Sequence, residues 1–207
     1  SGTGSHAEGS GTTSSGYYSH AEGSGTTSSG YYSHAEGAVT SATTSYSHTE
    51  GLATLTSGIG SHAEGLLTIS SGYVSHAEGY LTITSGFFTH SEGIGSSALG
   101  FGDHAEGYYT TAIGDYSHSE GGYTTTIGLR SHSEGSFTTA SGNYSHAEGD
   151  GSHASGTTSH VEGIFSKTTI LASFLAKIAA NLIAFNKSLN KKYLSSLKSA
   201  PLYCSSL

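Results

Sequence analysis

The chain of 207 residues has no methionine or tryptophan, one proline and one cysteine. The cysteine, Cys204, lies near the C-terminus, so an internal disulfide framework is excluded. Basic residues are almost absent from residues 1–163, which hold all 15 acidic residues and a single base, Arg130, for a net charge of −14. This acidic character argues against nucleic-acid binding. No glycine turn is followed by Lys-Ser or Lys-Thr before a helix, which excludes a P-loop phosphate site.

The composition divides the chain into two parts. Residues 1–163 consist almost entirely of Gly, Ser, Thr, Ala, Tyr, His and Glu, whereas residues 164–207 are rich in Leu, Ile, Lys, Asn and Phe. The second part has six lysines and no acid, for a charge of +6. We therefore predict two segments, 1–163 and 164–207. The sequence has no signal-peptide pattern and starts at Ser1 within a repeat, so we expect a processed or cut N-terminus.

A single phrase organises the first segment. Ser5-His6-Ala7-Glu8-Gly9 returns every 14 residues without insertion or deletion, with a glutamate two residues and a glycine three residues after each histidine. The twelve histidines are His6, His20, His34, His48, His62, His76, His90, His104, His118, His132, His146 and His160. A fixed short period of this kind predicts a solenoid, in which each repeat buries its faces against its neighbours.

Each repeat consists of two halves. The first reads Ser-His-Ala-Glu-Gly, and the second resembles Thr82-Ile83-Thr84-Ser85-Gly86, each followed by two variable residues. Small residues alternate with a second class in both halves, which is the period of a β-strand. We predict two strands of about five residues per coil, turning at the glycines, with the small column inside. Twelve such coils stack to about 55 Å.

The variable pairs at the turns are bulky. Tyr17-Tyr18, Tyr31-Tyr32 and Phe87-Phe88 belong to one edge, and Leu66-Leu67 and Tyr108-Tyr109 to the other. A thin tube cannot bury such side chains inside itself. Two apolar stripes of this length predict an oligomer rather than a monomer.

The second half-repeats carry a resemblance. Ser96-Ser97-Ala98-Leu99-Gly100, Thr110-Thr111-Ala112-Ile113-Gly114 and Thr124-Thr125-Thr126-Ile127-Gly128 resemble the head repeats of trimeric autotransporter adhesins (YadA-like heads), and similar repeats occur in some phage tail-fibre proteins. The resemblance covers residues 1–163. It implies a left-handed parallel β-roll packed as a homotrimer at a cell or virion surface. The His-x-Glu pair departs from it, since the family usually has aliphatic residues there.

The second segment predicts one amphipathic helix over residues 168–199, about 48 Å long and ended by Pro201. Its apolar stripe contains Leu171, Leu175, Ile178, Leu182, Phe185 and Leu189. We favour a trimeric coiled coil or helical plug at one end of the rod. A helix folded back as a cap is an alternative. A membrane span over 168–185 is disfavoured by Lys177 and Asn181.

The motif Ser-His-Ala-Glu superficially offers a nucleophile, a base and an acid. Neighbouring residues in a strand point to opposite faces, so each serine hydroxyl faces away from the adjacent histidine. Twelve copies along a rod also form no pocket. We therefore predict no catalytic residues, no cofactor-binding residues and no enzymatic activity.

Histidine and glutamate two residues apart share a face, and each repeats at about 4.8 Å along the stack. A bare glutamate column at this spacing repels itself and raises its own pKa. Three interpretations remain open: a hydrogen-bonded His–Glu ladder between coils or subunits, a row of divalent cations, or a solvated face. We expect the columns to lie at an inter-coil or inter-subunit contact. The candidate metal ligands are His62, Glu64, His76, Glu78, His90, Glu92, His104 and Glu106.

A threonine column offers a further alternative, ice binding. It contains Thr12, Thr26, Thr40, Thr54, Thr68, Thr82, Thr110, Thr124 and Thr138. The phase of the alternation turns these side chains inward, which disfavours that function.

These observations predict a non-enzymatic extracellular structural protein, a fibre subunit or adhesive head. Its main partner is itself, with a host or surface ligand as a further partner and neither nucleic acid nor membrane expected. We expect head-to-tail filaments, because the N-terminal coil shows no cap and a rod of −14 attracts a tail of +6. The rival function is a ligand-binding solenoid that uses its His-x-Glu face or its threonine columns.

Overall fold

The computed structural model describes residues 2–168. The helix predicted over residues 168–199 lies outside the described residues from position 169 onward, and so do its alternatives as a cap, coiled coil or membrane span. Residues 2–168 form strands and turns only. No helix in this part of the chain is long and apolar enough to span a membrane.

Two parallel sheets of twelve strands form the two walls of the solenoid. The first sheet contains β1 (His6–Ser10), β3 (His20–Ser24), β5 (His34–Ala38), β7 (His48–Leu52), β9 (His62–Leu66), β11 (His76–Tyr80), β13 (His90–Ile94), β15 (His104–Tyr108), β17 (His118–Gly122), β19 (His132–Ser133), β21 (His146–Ala147) and β23 (His160–Val161). The second contains β2 (Thr13–Ser14), β4 (Thr27–Ser28), β6 (Ser41–Ala42), β8 (Leu55–Thr56), β10 (Ile69–Ser70), β12 (Ile83–Thr84), β14 (Ser97–Ala98), β16 (Thr111–Ala112), β18 (Thr125–Thr126), β20 (Thr139–Ala140), β22 (His153–Ala154) and β24 (Lys167–Thr168). The all-β parallel solenoid predicted from the repeat is confirmed.

The register follows the 14-residue period throughout. His62 pairs with His76, Glu64 with Glu78 and Gly65 with Gly79. Identical side chains therefore form continuous columns along both walls. The second sheet ends at Lys167–Thr168, a few residues past the predicted boundary at 163/164.

The interior of each coil is filled by small side chains. In the coil of His20 these are Ser19, Ala21, Thr26 and Ser28, all buried. The same four positions are alanine, serine or threonine in most other coils, and Val161 is the largest aliphatic residue among the buried ones. The predicted inward column of small residues is confirmed. Its residues are small because the two walls lie too close together for larger side chains.

The serine before each histidine closes a turn. Ser61 Oγ donates a hydrogen bond to the carbonyl of Gly58 at 2.6 Å, and Ser131 and Ser145 make the same bond at 2.6 Å to Gly128 and Gly142. This local bond gives the buried hydroxyl an acceptor three residues back in the chain. It explains why serine rather than alanine precedes nearly every histidine.

The strands differ in length from the prediction of two equal strands. The first-sheet strand has five residues in nine of the coils, whereas the second-sheet strand has two throughout. Single backbone hydrogen bonds flank the short strand, from Ile69 N to Thr82 O at 2.9 Å and from Ser71 N to Thr84 O at 2.8 Å. The chain then turns at Gly72, so no further ladder can form on that wall.

The glycine after each glutamate is required by the backbone. Gly65 has a backbone φ of 107°, a value that residues with a side chain rarely adopt. A Cβ atom at this position would also overlap the carbonyl oxygen of Gly79 in the next coil. The first-sheet strand continues through this glycine to Leu66 instead of turning at it.

Bulky residues occupy left-handed positions at both turns. Tyr32 has φ of 56° and Leu67 has φ of 57°, a conformation that costs a residue with a side chain roughly 1–2 kcal/mol. Each donates its N–H to the preceding coil, Tyr32 to Tyr17 O and Leu67 to Leu52 O, both at 2.9 Å. Ring stacking adds to these bonds, as between Tyr32 and Tyr46 at 5.5 Å. Contacts between coils thus offset the local strain.

Candidate functional site

The outer face of the first sheet carries the histidine column, the twelve histidines from His6 to His160 spaced by 14 residues. From His20 to His146 the rings of successive coils are stacked, with centroids 4.7–5.0 Å apart and interplanar angles of at most 21°. The two end pairs, His6–His20 and His146–His160, are edge to face. The expected inter-coil contact of the histidines is therefore present.

The glutamate column lies beside it, formed by the twelve glutamates two residues after those histidines. Within a coil, His62 Nε2 lies 3.7 Å from Glu64 Oε2, and the pairs His76–Glu78 and His104–Glu106 are 3.7 and 3.8 Å apart. Some histidines also approach the glutamate of the preceding coil. For example, His132 Nε2 lies 3.5 Å from Glu120 Oε1.

These contacts lack hydrogen-bond geometry. Ten histidines from His20 to His146 have a buried Nε2 without any hydrogen-bond partner. The hydrogen-bonded His–Glu ladder predicted as one interpretation is therefore wrong in its bonding, although the side-by-side columns are present. Each ring is stacked on its copies in the adjacent coils, and the nearest carboxylate oxygens remain 3.5–4.0 Å from Nε2.

The stacked arrangement shifts the proton affinity of both residue types. Burial, helped by neighbouring histidines, lowers the pKa of His62 to about 4, and burial likewise lowers the pKa of His76, His90, His104, His118 and His132. These six histidines are consequently uncharged at neutral pH.

The carboxyl groups of the glutamate column share protons with their neighbours. Burial, together with hydrogen bonds to adjacent glutamates, raises the pKa of Glu64 to about 7. For Glu92 and Glu120 the hydrogen bonds come first and burial adds to them, and the pKa of each is again raised to about 7. Hydrogen bonds from those same neighbours lower the pKa of Glu78, Glu106 and Glu134. Every second carboxyl group in this stretch therefore retains a proton up to near neutral pH, which relieves the repulsion along the column.

Several histidine–glutamate–histidine groups have the spacing of a metal site. In each, one nitrogen or oxygen per residue lies within 4.8 Å of the other two; they include His34–Glu36–His48, His62–Glu64–His76, His76–Glu78–His90, His104–Glu106–His118 and His118–Glu120–His132. Seven of the eight candidate ligands named from the sequence belong to these five groups, the exception being Glu92. His153, the thirteenth histidine, lies on the second sheet and is exposed.

The serine and threonine hydroxyls lie on the other side of the strands. Ser61 and Ser75 are buried in the interior, and Ser61 Oγ is bonded to a backbone carbonyl rather than directed at His62. Eight of the nine threonines considered for ice binding, Thr26 to Thr138, are at most 1% exposed. The inward orientation predicted for the column is confirmed, and these residues present no flat threonine surface to solvent.

The outer side of the second sheet carries an aliphatic face. Between the buried threonines and alanines, six side chains point outward on this wall: Leu55, Ile69, Ile83, Leu99, Ile113 and Ile127. Ile83 is 38% exposed and Ile113 is 44% exposed. Sequence reasoning identified only the two turn stripes; the signal for this third one was the aliphatic residue alternating with buried small ones.

Asp103 was also missed. It replaces the turn-closing serine, is 1% exposed, and accepts hydrogen bonds from Gly100 N at 2.6 Å and Ser117 N at 2.9 Å. Burial raises the pKa of this carboxyl despite those donors. The sequence signal was an acidic residue at a position that serine, or threonine at Thr89, occupies in every other coil.

An open groove on the first sheet is lined by glutamates and glycines: Glu92, Glu106, Glu120, Glu134 and Glu148, with Gly107, Gly121, Gly135, Gly149 and Gly163. The described solenoid thus has one wall with histidine and carboxylate columns and one wall with aliphatic residues, separated by bulky turns. Comparison with models of protein families gives no match for this chain, and comparison with curated proteins gives none either.

Proposed function

We propose that this chain is a non-enzymatic structural rod, a fibre subunit or adhesive head that acts as a homotrimer of parallel β-solenoids at a cell or virion surface. The resemblance of the second half-repeats to YadA-like heads supports the proposal. The observation that carries it is the exposed aliphatic face of the second sheet. An interior of alanine, serine and threonine cannot take up those residues, and in this proposal other copies of the chain cover them.

In the proposed trimer the second-sheet faces of three chains meet at the axis. Ile69, Ile83, Ile113 and Ile127 provide apolar area there, and the flanking turn residues extend it on both sides. The first sheet then faces outward, since packing the glutamate columns of two copies against each other would bring buried carboxylates together. Arg130 is the only arginine in the chain and already lies between the rings of Tyr116 and Tyr144, at 5.6 and 5.9 Å.

The test is sedimentation of the full chain at micromolar concentration. We expect a trimer for the wild type. The variant I69E/I83E places two charges on the aliphatic face and should yield smaller species with unchanged strand content. The matched control is T13E/T27E, which changes the same coil position where the wall is polar; it should leave the trimer intact.

The turn stripes are tested separately. Tyr109 and Tyr123 stack at 5.7 Å within the chain and are about half exposed. Replacing both with serine should weaken assembly before it reduces strand content. A compact wild-type monomer, or I69E/I83E chains that still form trimers, would refute the proposed packing.

A further inference from the structure

We propose that the histidine and glutamate columns bind a row of divalent transition-metal ions of the zinc class. Each ion is held by two histidines from successive coils and one glutamate. The proposal rests on the His–Glu–His groups of the first sheet and is independent of the oligomeric state.

The donor set fits this class of ion. Imidazole nitrogen and carboxylate oxygen are ordinary ligands of Zn²⁺, and bonds of about 2.0–2.2 Å put ligand atoms of a tetrahedral site roughly 3.4 Å apart. The Nε2–Oε2 separations of 3.7 Å at His62–Glu64 and His76–Glu78 are close to this value. The two histidine nitrogens lie within 4.8 Å of each other. To bind one ion, the rings must tilt so that these nitrogens approach each other by several tenths of an ångström or more. Water completes the coordination on the solvent side.

The nitrogen atoms are free to accept an ion. His62 Nε2 and His76 Nε2 have no hydrogen-bond partner, so binding an ion breaks no existing bond. A carboxyl group that binds an ion must be ionised, so ion binding releases any proton that the group holds.

The geometry limits the number of ions. His76 belongs to two groups, with His62 and with His90, but its Nε2 can bind only one ion at a time. Neighbouring groups therefore exclude each other, and twelve histidines in pairs hold at most six ions. Three of the groups share no residue with one another: His34–Glu36–His48, His62–Glu64–His76 and His104–Glu106–His118. We infer saturation at three to six ions per chain, never one per coil.

Equilibrium dialysis of the full chain against Zn²⁺ at pH 7.5, with calorimetry for affinity, tests this inference. The wild type should bind three to six ions per chain and release them to a chelator. H76N/H118N removes the shared histidine of four of the five groups and should lower the number by two. H153N removes the exposed histidine of the second sheet and is the matched control; its number should equal that of the wild type.

The conservative variant E64Q/E106Q guards against misfolding. It keeps the side-chain shape and the histidine column, and should weaken Zn²⁺ binding at two sites by about tenfold or more, since loss of outer partners alone costs that much. Fewer than three ions or more than six in the wild type would overturn the proposal. So would a fall of less than two in H76N/H118N, an equal fall in H153N, or wild-type affinity in E64Q/E106Q. Sedimentation in chelator reports separately on the trimer.

Discussion

Gly65 and its equivalents fix the position of the glutamate column. Each has φ near 100°, and each faces the carbonyl of the next glycine in the stack, as Gly65 faces Gly79. Glycine is required here for two independent reasons: the positive φ of its own backbone, and the carbonyl oxygen of the adjacent coil, which leaves no room for a Cβ atom. A residue with a Cβ must move both coils at once.

We therefore expect Gly65→Ala to lower the free energy of unfolding by about 3 kcal/mol, the upper part of the range for a residue forced into a sparsely populated backbone region. Thermal and urea unfolding measure the loss. Gly122→Ala is the control: Gly122 has no positive φ and no atom within 4 Å of an added Cβ. Equal losses in the two variants would contradict this explanation of the glycine column.

At the scale of the element, the glutamate column and the histidine column respond to pH in opposite senses. A raised pKa, as for Glu64, Glu92 and Glu120, means that folding is favoured below pH 4.5 and that this contribution is lost as the pH rises through about 7. A lowered pKa, as for His62, means that the contribution is present above pH 6.5 and is lost as the pH falls toward 4.

The variant E64Q/E92Q/E120Q separates the two columns in chelator-treated protein. Glutamine mimics the protonated carboxyl, so the variant should melt higher than the wild type at pH 7.5, by about 2–4 °C per kcal/mol recovered. Its melting temperature should then fall more steeply than that of the wild type between pH 6.5 and 4, because the three replaced carboxyl groups no longer offset the histidine contribution there. A variant that melts lower than the wild type at pH 7.5 would contradict the proton-sharing column.

The sequence was sufficient to predict the columns of side chains but not the contacts that those side chains make. A period of 14 residues with internal alternation predicted the two walls, the inward Ser61, Ala63 and Thr68, and the outward His62. The alternation says which face a side chain occupies but nothing of its rotation about χ angles. Whether His62 donates to Glu64 or stacks on His76 depends on that rotation, and for this reason the sequence left the hydrogen-bonded ladder as one of three open interpretations.

The sequence repeat also did not predict the lengths of the strands. The two halves of the repeat have the same number of residues, yet only the first forms a five-residue strand in most coils. The difference arises because the first-sheet strand continues through Gly65 to Leu66, while the second wall turns at Gly72. A glycine marks both places, and only the backbone dihedral angles distinguish a glycine inside a strand from one in a turn.

At the scale of the whole molecule, the constant register makes the coil the unit of length. Deleting residues 63–76, one complete period, should leave every column intact, since His62 would then be followed by Ala77 as it is now by Ala63. We expect a folded solenoid shortened by one strand spacing of about 4.8 Å, with somewhat lower stability, because repeat proteins lose one unit and one interface. Circular dichroism checks that the shortened chain still forms strands, and thermal unfolding measures the loss of stability.

Deleting only residues 63–69, half a period, is the matched control. It places Ser70 directly after His62 and moves the following histidines from the first wall to the second. This chain should aggregate or lose strand content by circular dichroism. Equal folding of the two deletions would show that the columns do not determine the register.

The hydrogen bonds between coils also determine how the described solenoid carries a load. On both walls and at both turns the bonds run from one coil to the next, as from His62 to Ser75, from Ile69 to Thr82 and from Val74 back to Ile59. A pull along the axis stretches all the bonds of one junction together, so no junction can open by breaking them one after another. Since the junctions repeat in series, tensile strength is that of a single junction, and lengthening the array adds reach without weakening it.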